Sequence, residues 1–192
     1  MGIIQRIKGV FTVNTKVSHD GPWENWQERW SDEKVDNVWG QKLRNKEWRM
    51  DPAYKLIADK CREHGVSIVD LGSGGGVQYA ALKEYVGEID YIGIDITPRH
   101  VQFASEMFPE VRFEEGDAAN LSFEDKAFDI SLIRHVIEHH PKEKAEQILN
   151  EAFRVAAKCV LILFFIPPKE MEEDVIEKRK KSGFYLNTYS KI

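Results

Sequence analysis

The sequence predicts an α/β fold in which a mostly parallel sheet carries helices on both faces. Short apolar runs alternate with amphipathic helical stretches along residues 51–166, as expected for repeated strand–helix units with right-handed crossovers. A glycine-rich loop also joins the first predicted strand to the following helix, in residues 69–77. A strand, a glycine turn and a helix bring the main chain and a helix N-terminus close to a bound nucleotide.

The predicted elements follow one another in a regular order. Asp51 and Pro52 are typical of a helix N-cap and a first helical turn, and Gly65 is typical of the end of that helix. Five strands are predicted, at residues 66–71, 89–95, 111–114, 128–134 and 160–166. Helices are predicted between them, at residues 77–86, 98–109 and 141–157. The last strand is apolar on both faces, which is typical of a central parallel strand.

All five tryptophans lie in residues 22–50, ahead of the first predicted strand. Trp23, Trp26 and Trp30 fall at i, i+3 and i+7, which predicts one face of a helix. That face can pack on the core, cover a bound ligand as a lid, or do both. We therefore divide the chain into an aromatic N-terminal extension or lid, residues 1–50, and a ligand-binding domain, residues 51–192.

The composition excludes several classes of protein. With 192 residues, 42% hydrophobic and 31% charged, the chain suits one globular domain with a sizeable core. The net charge of −5 argues against general nucleic-acid binding, which usually needs a basic balance. No apolar run is long enough for a transmembrane helix. Cys61 and Cys159 lie far apart without metal-ligand spacing, so we expect reduced thiols in a cytoplasmic protein and no metal site.

The spacing of the glycine loop indicates which class of cofactor fits it. Asp70, Gly72, Gly74 and Gly76 form the pattern D-x-G-x-G-x-G. A dinucleotide-binding loop that starts at Gly72 would need a third glycine where Val77 stands. An acidic residue at the strand end can instead hold a cofactor that has an amino-acid tail and no phosphate. A structural turn without a ligand is the alternative interpretation of the loop.

This pattern resembles the first motif of the class I S-adenosylmethionine-dependent methyltransferases, and the small-molecule (type 11) branch is the most similar part of that family. The resemblance covers about residues 51–166. It implies a Rossmann-like, doubly wound sheet that binds S-adenosyl-L-methionine. The loop residues that it implies as cofactor contacts are Asp70, Gly72, Ser73, Gly74 and Gly76.

The C-terminal part of the chain departs from that family's pattern. The family fold normally continues, after the fifth strand, with another helix and two more strands. Here a charge-rich segment at residues 169–181 is followed by a single candidate strand at residues 184–189. The sheet is therefore expected to lack usual last strands, because the chain is either short for the family or truncated.

Two further strand ends carry carboxylates. Ligands of open α/β sheets bind at the carboxyl ends of the strands, beside the point where the strand order reverses. Asp95 ends the second strand, where it can accept hydrogen bonds from a ribose diol or cap the next helix. Asp117 follows the third strand, where it can accept from an adenine amino group or form an Asx turn. Ile96 and the backbone N–H of Ala118 complete the expected cofactor contacts.

The stretch after the fourth strand carries the predicted chemistry. It resembles the segment that, in the small-molecule branch, runs beneath the methionine portion of the cofactor and the reactive methyl. On this resemblance Arg134 contacts the cofactor and His135 faces the transfer site. Glu138 and His139 resemble a Glu-His pair that is common among quinone-, lipid- and sugar-modifying members. For His139, a general base, a metal ligand and a structural hydrogen bond at a helix start remain open.

The two histidines could act together. If a helix begins after the fourth strand, His135 and His139 share one face, because residues i and i+4 lie one above the other. For a hydroxyl acceptor one of them would act as a base, whereas for a carbon or amine acceptor both would only shape the pocket. His140 is expected to face solvent.

These observations predict methyl transfer from S-adenosyl-L-methionine to a small-molecule, lipid or saccharide acceptor. The alternative from a different class is a catalytically silent, cofactor-binding partner or regulatory subunit. A nicotinamide oxidoreductase comes third, and Val77 argues against it. No feature of the sequence indicates an oligomeric state.

Overall fold

A computed structural model of the protein describes residues 30–164, which form a five-stranded parallel sheet. The strands are β1 Ser67–Leu71, β2 Asp90–Asp95, β3 Arg112–Glu115, β4 Phe128–Arg134 and β5 Ala156–Leu163. Their order across the sheet is β3-β2-β1-β4-β5. The chain runs outward from β1 to β3 and then crosses back to β4, so the strand order reverses between β1 and β4. The predicted α/β fold with a parallel, doubly wound sheet is confirmed.

Helices cover both faces of this sheet, as predicted. They are α1 Asp32–Val35, α2 Gln41–Arg44, α3 Pro52–His64, α4 Val77–Val86, α5 Pro98–Met107 and α6 Lys142–Val155. Residues of α3, α4 and α5 pack on the face to which Ile68 and Ile130 contribute. α6 packs on the opposite face, against Val69 and Leu71. None of the helices within residues 30–164 is long and apolar enough to cross a membrane.

The sequence explains where α3 begins. Asp51 Oδ1 accepts a hydrogen bond of 2.9 Å from the backbone N–H of Ala53, and Pro52 occupies the first turn. This is the predicted N-cap, and the helix ends before Gly65, also as predicted. α3 buries Ile57 and its apolar neighbours against the sheet, which places Asp51 beside the carboxyl end of β4.

The fifth strand differs from its prediction in position. β5 begins at Ala156, directly after α6, and ends at Leu163, whereas the sequence predicts residues 160–166. Ala156 and Ala157 lack the branched side chains typical of strands, which conceals the boundary between helix and strand. Within residues 30–164 β5 pairs with β4 alone and forms the edge of the described sheet, and its predicted central place stays a prediction. The candidate strand at residues 184–189 lies outside the described residues.

The segment ahead of α3 packs on the sheet domain. Between α1 and α2 the chain forms a π-helical turn, Asp36–Gly40, and after α2 a 3-10 turn, Glu47–Met50. Leu43 and Trp48 from this segment are buried against residues of α3 and α4. The division at residue 50 and the role of the segment as a lid stay predictions.

The predicted tryptophan helix is only partly described. Trp30 is buried, but it precedes α1, whose N-cap is Ser31, so Trp30 lies outside any helix. Trp23 and Trp26 lie outside the described residues. Trp30 stacks on Trp39, with ring centroids 5.9 Å apart.

Candidate active site

A cavity of about 130 Å³ opens at the carboxyl edge of the sheet, where the strand order reverses between β1 and β4. The predicted site residues that line it are Asp70, Gly72, Ser73, Gly74, Asp95, Arg134, His135 and His139. The predicted site residues outside its lining are Gly76, Ile96, Asp117, Ala118 and Glu138. The structure therefore brings together residues from the ends of three neighbouring strands, β1, β2 and β4.

The glycine loop forms a tight turn against β2. The backbone N–H groups of Gly72 and Ser73 both donate to the carbonyl of Ile94, at 2.7 and 3.0 Å. Gly72 has a φ of 85°, and a Cβ there would collide with Cγ2 of Val136 in the loop after β4. Gly74 has a φ of 53°, and a Cβ there would lie 2.8 Å from the Trp39 ring. Both positions therefore require glycine for backbone conformation and for space.

Asp70 stands in the wall of the cavity as a buried acid. Asp70 is only 2% exposed, and its Oδ2 accepts a hydrogen bond from the Tyr91 hydroxyl. Burial raises the pKa of Asp70 from 3.8 to about 7, against the opposing effect of the Tyr91 hydrogen bond. At neutral pH this carboxyl group is therefore divided between its acid and its carboxylate forms.

Asp95 at the end of β2 is held by three contacts. Oδ1 accepts from the backbone N–H of Thr97 at 2.9 Å and lies 3.2 Å from Nδ1 of His100. Oδ2 accepts from the backbone N–H of Gly74 at 2.8 Å, which ties the carboxylate to the glycine loop. Burial on its own raises the pKa of Asp95, but these contacts outweigh it and hold the pKa below its usual value. Asp95 is therefore an ionised carboxylate in the cavity wall.

Asp117 forms the Asx turn that the sequence allows as an alternative. Oδ1 accepts from the backbone N–H of Ala119 at 2.9 Å, and Oδ2 pairs with the Lys144 ammonium at 2.6 Å. Burial raises the pKa of Asp117, but these two contacts outweigh it and lower the pKa. Ala118 packs toward the apolar cluster on the α6 face. The contact of Asp117 and Ala118 with adenine stays a prediction.

Arg134 ends β4 and is fixed by α3. Nη2 donates to Oδ2 of Asp51 at 2.6 Å, Nη1 donates to the Tyr54 hydroxyl at 2.8 Å, and the guanidinium lies over the Tyr54 ring. The Arg134 and Asp51 side chains are only 18% and 17% exposed. Burial is the main cause that raises the pKa of Tyr54 to about 12, so this hydroxyl stays protonated. The cation of Arg134 therefore faces the cavity in a fixed position.

His135 and Glu138 form a hydrogen-bonded pair at the turn after β4. Nδ1 of His135 lies 2.8 Å from Oε1 of Glu138, whose residue is 2% exposed. The backbone of His135 is left-handed, with a φ of 56°, and its N–H donates to Leu163 in β5. Backbone conformations of this kind persist where the surrounding structure fixes them, and they cluster at functional sites. The pair orients the His135 ring at the cavity wall.

No α-helix begins directly at His135, the condition for a face shared by the two histidines, although both histidines reach the cavity. A 3-10 turn, Ile137–His139, follows His135, and α6 begins only at Lys142. His135 and His139 both line the cavity because the turn folds back on itself, and no shared α-helical face is involved. The expectation that His140 faces solvent is wrong. It is 3% exposed, and burial is the main cause that lowers its pKa to about 4.

Comparison with known proteins agrees with this geometry. Residues 68–158 match the family model described as a methyltransferase domain. The resemblance to class I S-adenosylmethionine-dependent methyltransferases that the glycine loop indicates is thereby confirmed, and the match includes β1, the loop and β4.

Individual methyltransferases also match part of the chain. The chain is 40% identical over 124 residues to the uncharacterized methyltransferase YcgJ of Bacillus subtilis, which covers 61% of this chain and 47% of that protein. It is 34% identical over 104 residues to ajmaline N-methyltransferase of Rauvolfia serpentina, covering 50% of this chain and 34% of that enzyme. The chain therefore spans about a third to a half of the length of these curated relatives.

The crystal structure of Bacillus subtilis YcgJ has a similar fold. It superposes with a TM-score of 0.51 and 29% sequence identity, and the superposition covers 61% of this chain and 52% of that one. This likeness agrees with the sequence match to the same protein.

The fold also brings to the cavity residues that the sequence did not single out as site residues. They are Trp39, Lys42, Tyr54, Val77, Gln78, His100 and Val136, and all but Val136 come from helical segments. Burial is the main cause that lowers the pKa of Lys42, and the nearby charge of Arg134 adds to it. One signal was available for His100: a histidine one turn into the helix that follows an acidic strand end can return to that carboxylate.

Proposed function

We propose that this protein binds S-adenosyl-L-methionine in the cavity and transfers its methyl group to a small-molecule, lipid or saccharide acceptor. The observation that carries the proposal is a set of buried polar atoms in the cavity wall that lack a partner within residues 30–164. They are Trp39 Nε1, Ser73 Oγ, both amide atoms of Gln78, His100 Nε2 and Arg134 Nε. Few buried polar groups in native proteins lack hydrogen bonds, so a concentration of them in one cavity is typical of a site for a polar ligand.

The residues of the wall fit this cofactor. An ionised Asp95 suits hydroxyl groups of a ribose, because hydrogen bonds to a charged acceptor are stronger than neutral ones. Asp70 and the amide of Gln78 suit the ammonium and carboxylate groups of an amino-acid tail, and the Arg134 cation adds a charge that favours a carboxylate. The absence of a third glycine at Val77 disfavours a dinucleotide.

The protein needs to do little more than position the acceptor and keep water out of the cavity. When bound, the cofactor supplies a methyl group that its sulfonium already activates. The chain's part is to orient an acceptor in line with that methyl and to exclude water. The Trp39 ring lies against the glycine loop, within van der Waals reach of Gly74 and Gly75, and covers one side of the cavity.

A hydroxyl acceptor must also lose a proton, and His135 is placed for that role. Its Nδ1 contacts Oε1 of Glu138 at 2.8 Å, so the second ring nitrogen, Nε2, is the one left to take a proton. A carboxylate that holds the other nitrogen fixes the tautomer and the orientation of the ring. For a carbon or amine acceptor, His135 and His139 would only shape the cavity.

Isothermal calorimetry with purified protein tests the binding step. S-adenosylmethionine and S-adenosylhomocysteine are expected to bind, and NAD is not. Asp95→Asn is expected to weaken binding by at least about tenfold, because a hydrogen bond to a charged group contributes about 1.5–3 kcal/mol. Asp90→Asn, the same change at the exposed first residue of β2, is the matched control and is expected to bind like the wild type.

Two results would contradict the binding proposal. One is clear heat with NAD and none with either S-adenosyl compound. The other is unchanged affinity in an Asp95→Asn protein whose thermal melt remains cooperative, since the ribose would then have to lie elsewhere.

The transfer step is tested with methyl-labelled cofactor. The protein is incubated with a cell extract and the labelled cofactor, and the labelled product is isolated and identified. A labelled small molecule, lipid or saccharide is expected. Cofactor binding without any labelled product would favour the alternative of a catalytically silent, cofactor-binding subunit.

A further inference from the structure

We propose that His100 is a positioning residue for the cofactor's ribose, which it serves by holding Asp95 in the orientation that accepts the ribose hydroxyls. The inference rests on the proposed function and deepens it, because it assigns a role to a residue in α5 that contacts the strand-end carboxylate. It depends on three features of His100: its contact with Asp95, the protonation of its ring, and the aromatic residues around it.

The contact is built into the start of α5. Thr97 is the N-cap residue, Pro98 begins the helix, and the backbone N–H of His100 donates to the Thr97 carbonyl at 2.9 Å. This first turn returns the His100 ring to the end of β2, where Nδ1 lies 3.2 Å from Oδ1 of Asp95. The two side chains are only 3% and 9% exposed, so the contact is shielded from water.

The surroundings indicate which ring nitrogen carries the proton. Nε2 of His100 is buried and has no hydrogen-bond partner within residues 30–164. A proton on Nε2 would therefore be a buried donor without an oxygen or nitrogen acceptor, which is costly. A proton on Nδ1 meets the Asp95 carboxylate directly. The arrangement thus favours the tautomer in which Nδ1–H donates to Oδ1 of Asp95.

The contacts of Asp95 are shared unequally between its two oxygens, so Oδ2 has more capacity left to accept a hydrogen bond from a ligand. A carboxylate has about four lone-pair positions. Thr97 and His100 occupy Oδ1, whereas among the described residues Oδ2 accepts from Gly74 alone. His100 therefore anchors the inner oxygen, and the capacity for a ligand hydroxyl remains at Oδ2, beside the glycine loop. Without His100 the carboxylate would keep one backbone donor on each oxygen, but Oδ1 would lose the side-chain donor that helps to orient it and supports its negative charge.

A purely packing role does not account for the histidine. The ring lies edge-on to Trp30, with centroids 4.2 Å apart, and edge-on to Trp39 at 5.4 Å. Phenylalanine would fill the same aromatic site without burying two nitrogen atoms. What the histidine adds over phenylalanine is the donor to Asp95. The packing and the donor can therefore be separated by two different substitutions.

The test compares His100→Phe with His100→Asn. Phenylalanine keeps an aromatic ring against the two tryptophans and removes the donor, whereas the asparagine amide keeps a donor near the position of Nδ1 and removes the ring. S-adenosylhomocysteine affinity is measured by calorimetry, and the melting temperature is measured for each protein. His100→Phe is expected to bind about tenfold more weakly with little change in melting temperature. His100→Asn is expected to bind within about threefold of the wild type although it melts earlier.

A double-mutant cycle adds a readout that packing would not move. In an Asp95→Asn background, the further change His100→Phe is expected to leave S-adenosylhomocysteine affinity unchanged, because the residue acts through that carboxylate. Equal additional weakening in both backgrounds would overturn the inference.

The remaining outcomes distinguish this inference from the proposed function. If the wild type binds S-adenosylhomocysteine and His100→Phe binds equally well, the positioning role is wrong and the proposed function stands. If affinity falls in His100→Asn and not in His100→Phe, His100 acts by packing alone. If the wild type binds neither S-adenosyl compound, the proposed function fails and the inference fails with it.

Discussion

Replacing Asp70 by asparagine is expected to stabilise the protein at pH 8 far more than at pH 5. Asp70 is 2% exposed, and burial, partly offset by the Tyr91 hydrogen bond, raises its pKa from 3.8 to about 7. Asparagine cannot ionise, and its side-chain oxygen can still accept the hydrogen bond from the Tyr91 hydroxyl. The substitution therefore removes the cost of a buried charge and keeps the geometry of the wall.

The sign and size of the effect follow from proton linkage. The folded protein holds the Asp70 proton more tightly than the unfolded chain does, so stability falls as the pH rises from about 4 to about 7. At 1.36 kcal/mol per pKa unit, a rise from 3.8 to about 7 corresponds to about 4 kcal/mol. The folded protein loses this full amount of stability only when the pH is above about 7. The advantage of Asp70→Asn over the wild type is expected to be larger at pH 8 than at pH 5 by about 2–3 kcal/mol.

Urea denaturation of both proteins at pH 5 and pH 8 measures this difference. Asp129→Asn is the matched control, and its effect on the pH dependence of stability is expected to have the opposite sign. The hydrogen bond from the Lys158 ammonium is the main cause that lowers the pKa of Asp129. That variant is expected to lose stability at pH 8 and to approach the wild type as the pH falls toward 3. The reasoning is refuted if the difference between Asp70→Asn and the wild type is the same at both pH values.

Three further outcomes are expected. Asp51→Ala should lower the free energy of unfolding in urea by about 2–3 kcal/mol, because it removes an N-cap of about 1 kcal/mol and leaves the half-buried Arg134 without its carboxylate; Asp51→Ser, which keeps the cap, should lose less. His135→Asn, which tolerates the left-handed backbone at φ 56°, should lose turnover while its S-adenosylhomocysteine affinity stays within about twofold, and full turnover in both His135→Asn and His139→Phe would remove the turn from the mechanism. Residues 30–50 should gain protection from hydrogen exchange when S-adenosylhomocysteine binds; equal protection in both states would make this segment a fixed wall instead of a lid.

The sequence predicts the sheet well because the apolar runs and the residues that bound them indicate the same elements. Each of the five strands predicted within residues 51–166 has a counterpart within a few residues, since apolar runs bounded by glycine, proline and acidic residues leave little choice of periodicity. The clear error lies at β5, where Ala156 and Ala157 have no strand-forming side chains and only pairing with β4 defines the strand. Tertiary contacts decide such a boundary, and local propensity does not.

In the candidate site, the residues at strand ends could be predicted from the sequence, and the residues on helices could not. Asp70, Asp95 and Arg134 reach the cavity because the carboxyl ends of neighbouring parallel strands must meet, which can be inferred from their order in the chain. Lys42 and Gln78 reach it from helices, whose approach depends on how their apolar faces pack. No spacing rule in the sequence reports that packing.

The loops after β1 and β4 also constrain each other during any redesign of this site. The space where Gly72 would carry a side chain is filled by Cγ2 of Val136, and Val136 follows His135 directly in the chain. A larger residue at either position would push the turn that holds His135 away from the glycine loop. Libraries that aim at a new methyl acceptor by varying the turn after β4 should therefore leave Val136 and Gly72 unchanged, or vary the two together as a single compensating pair.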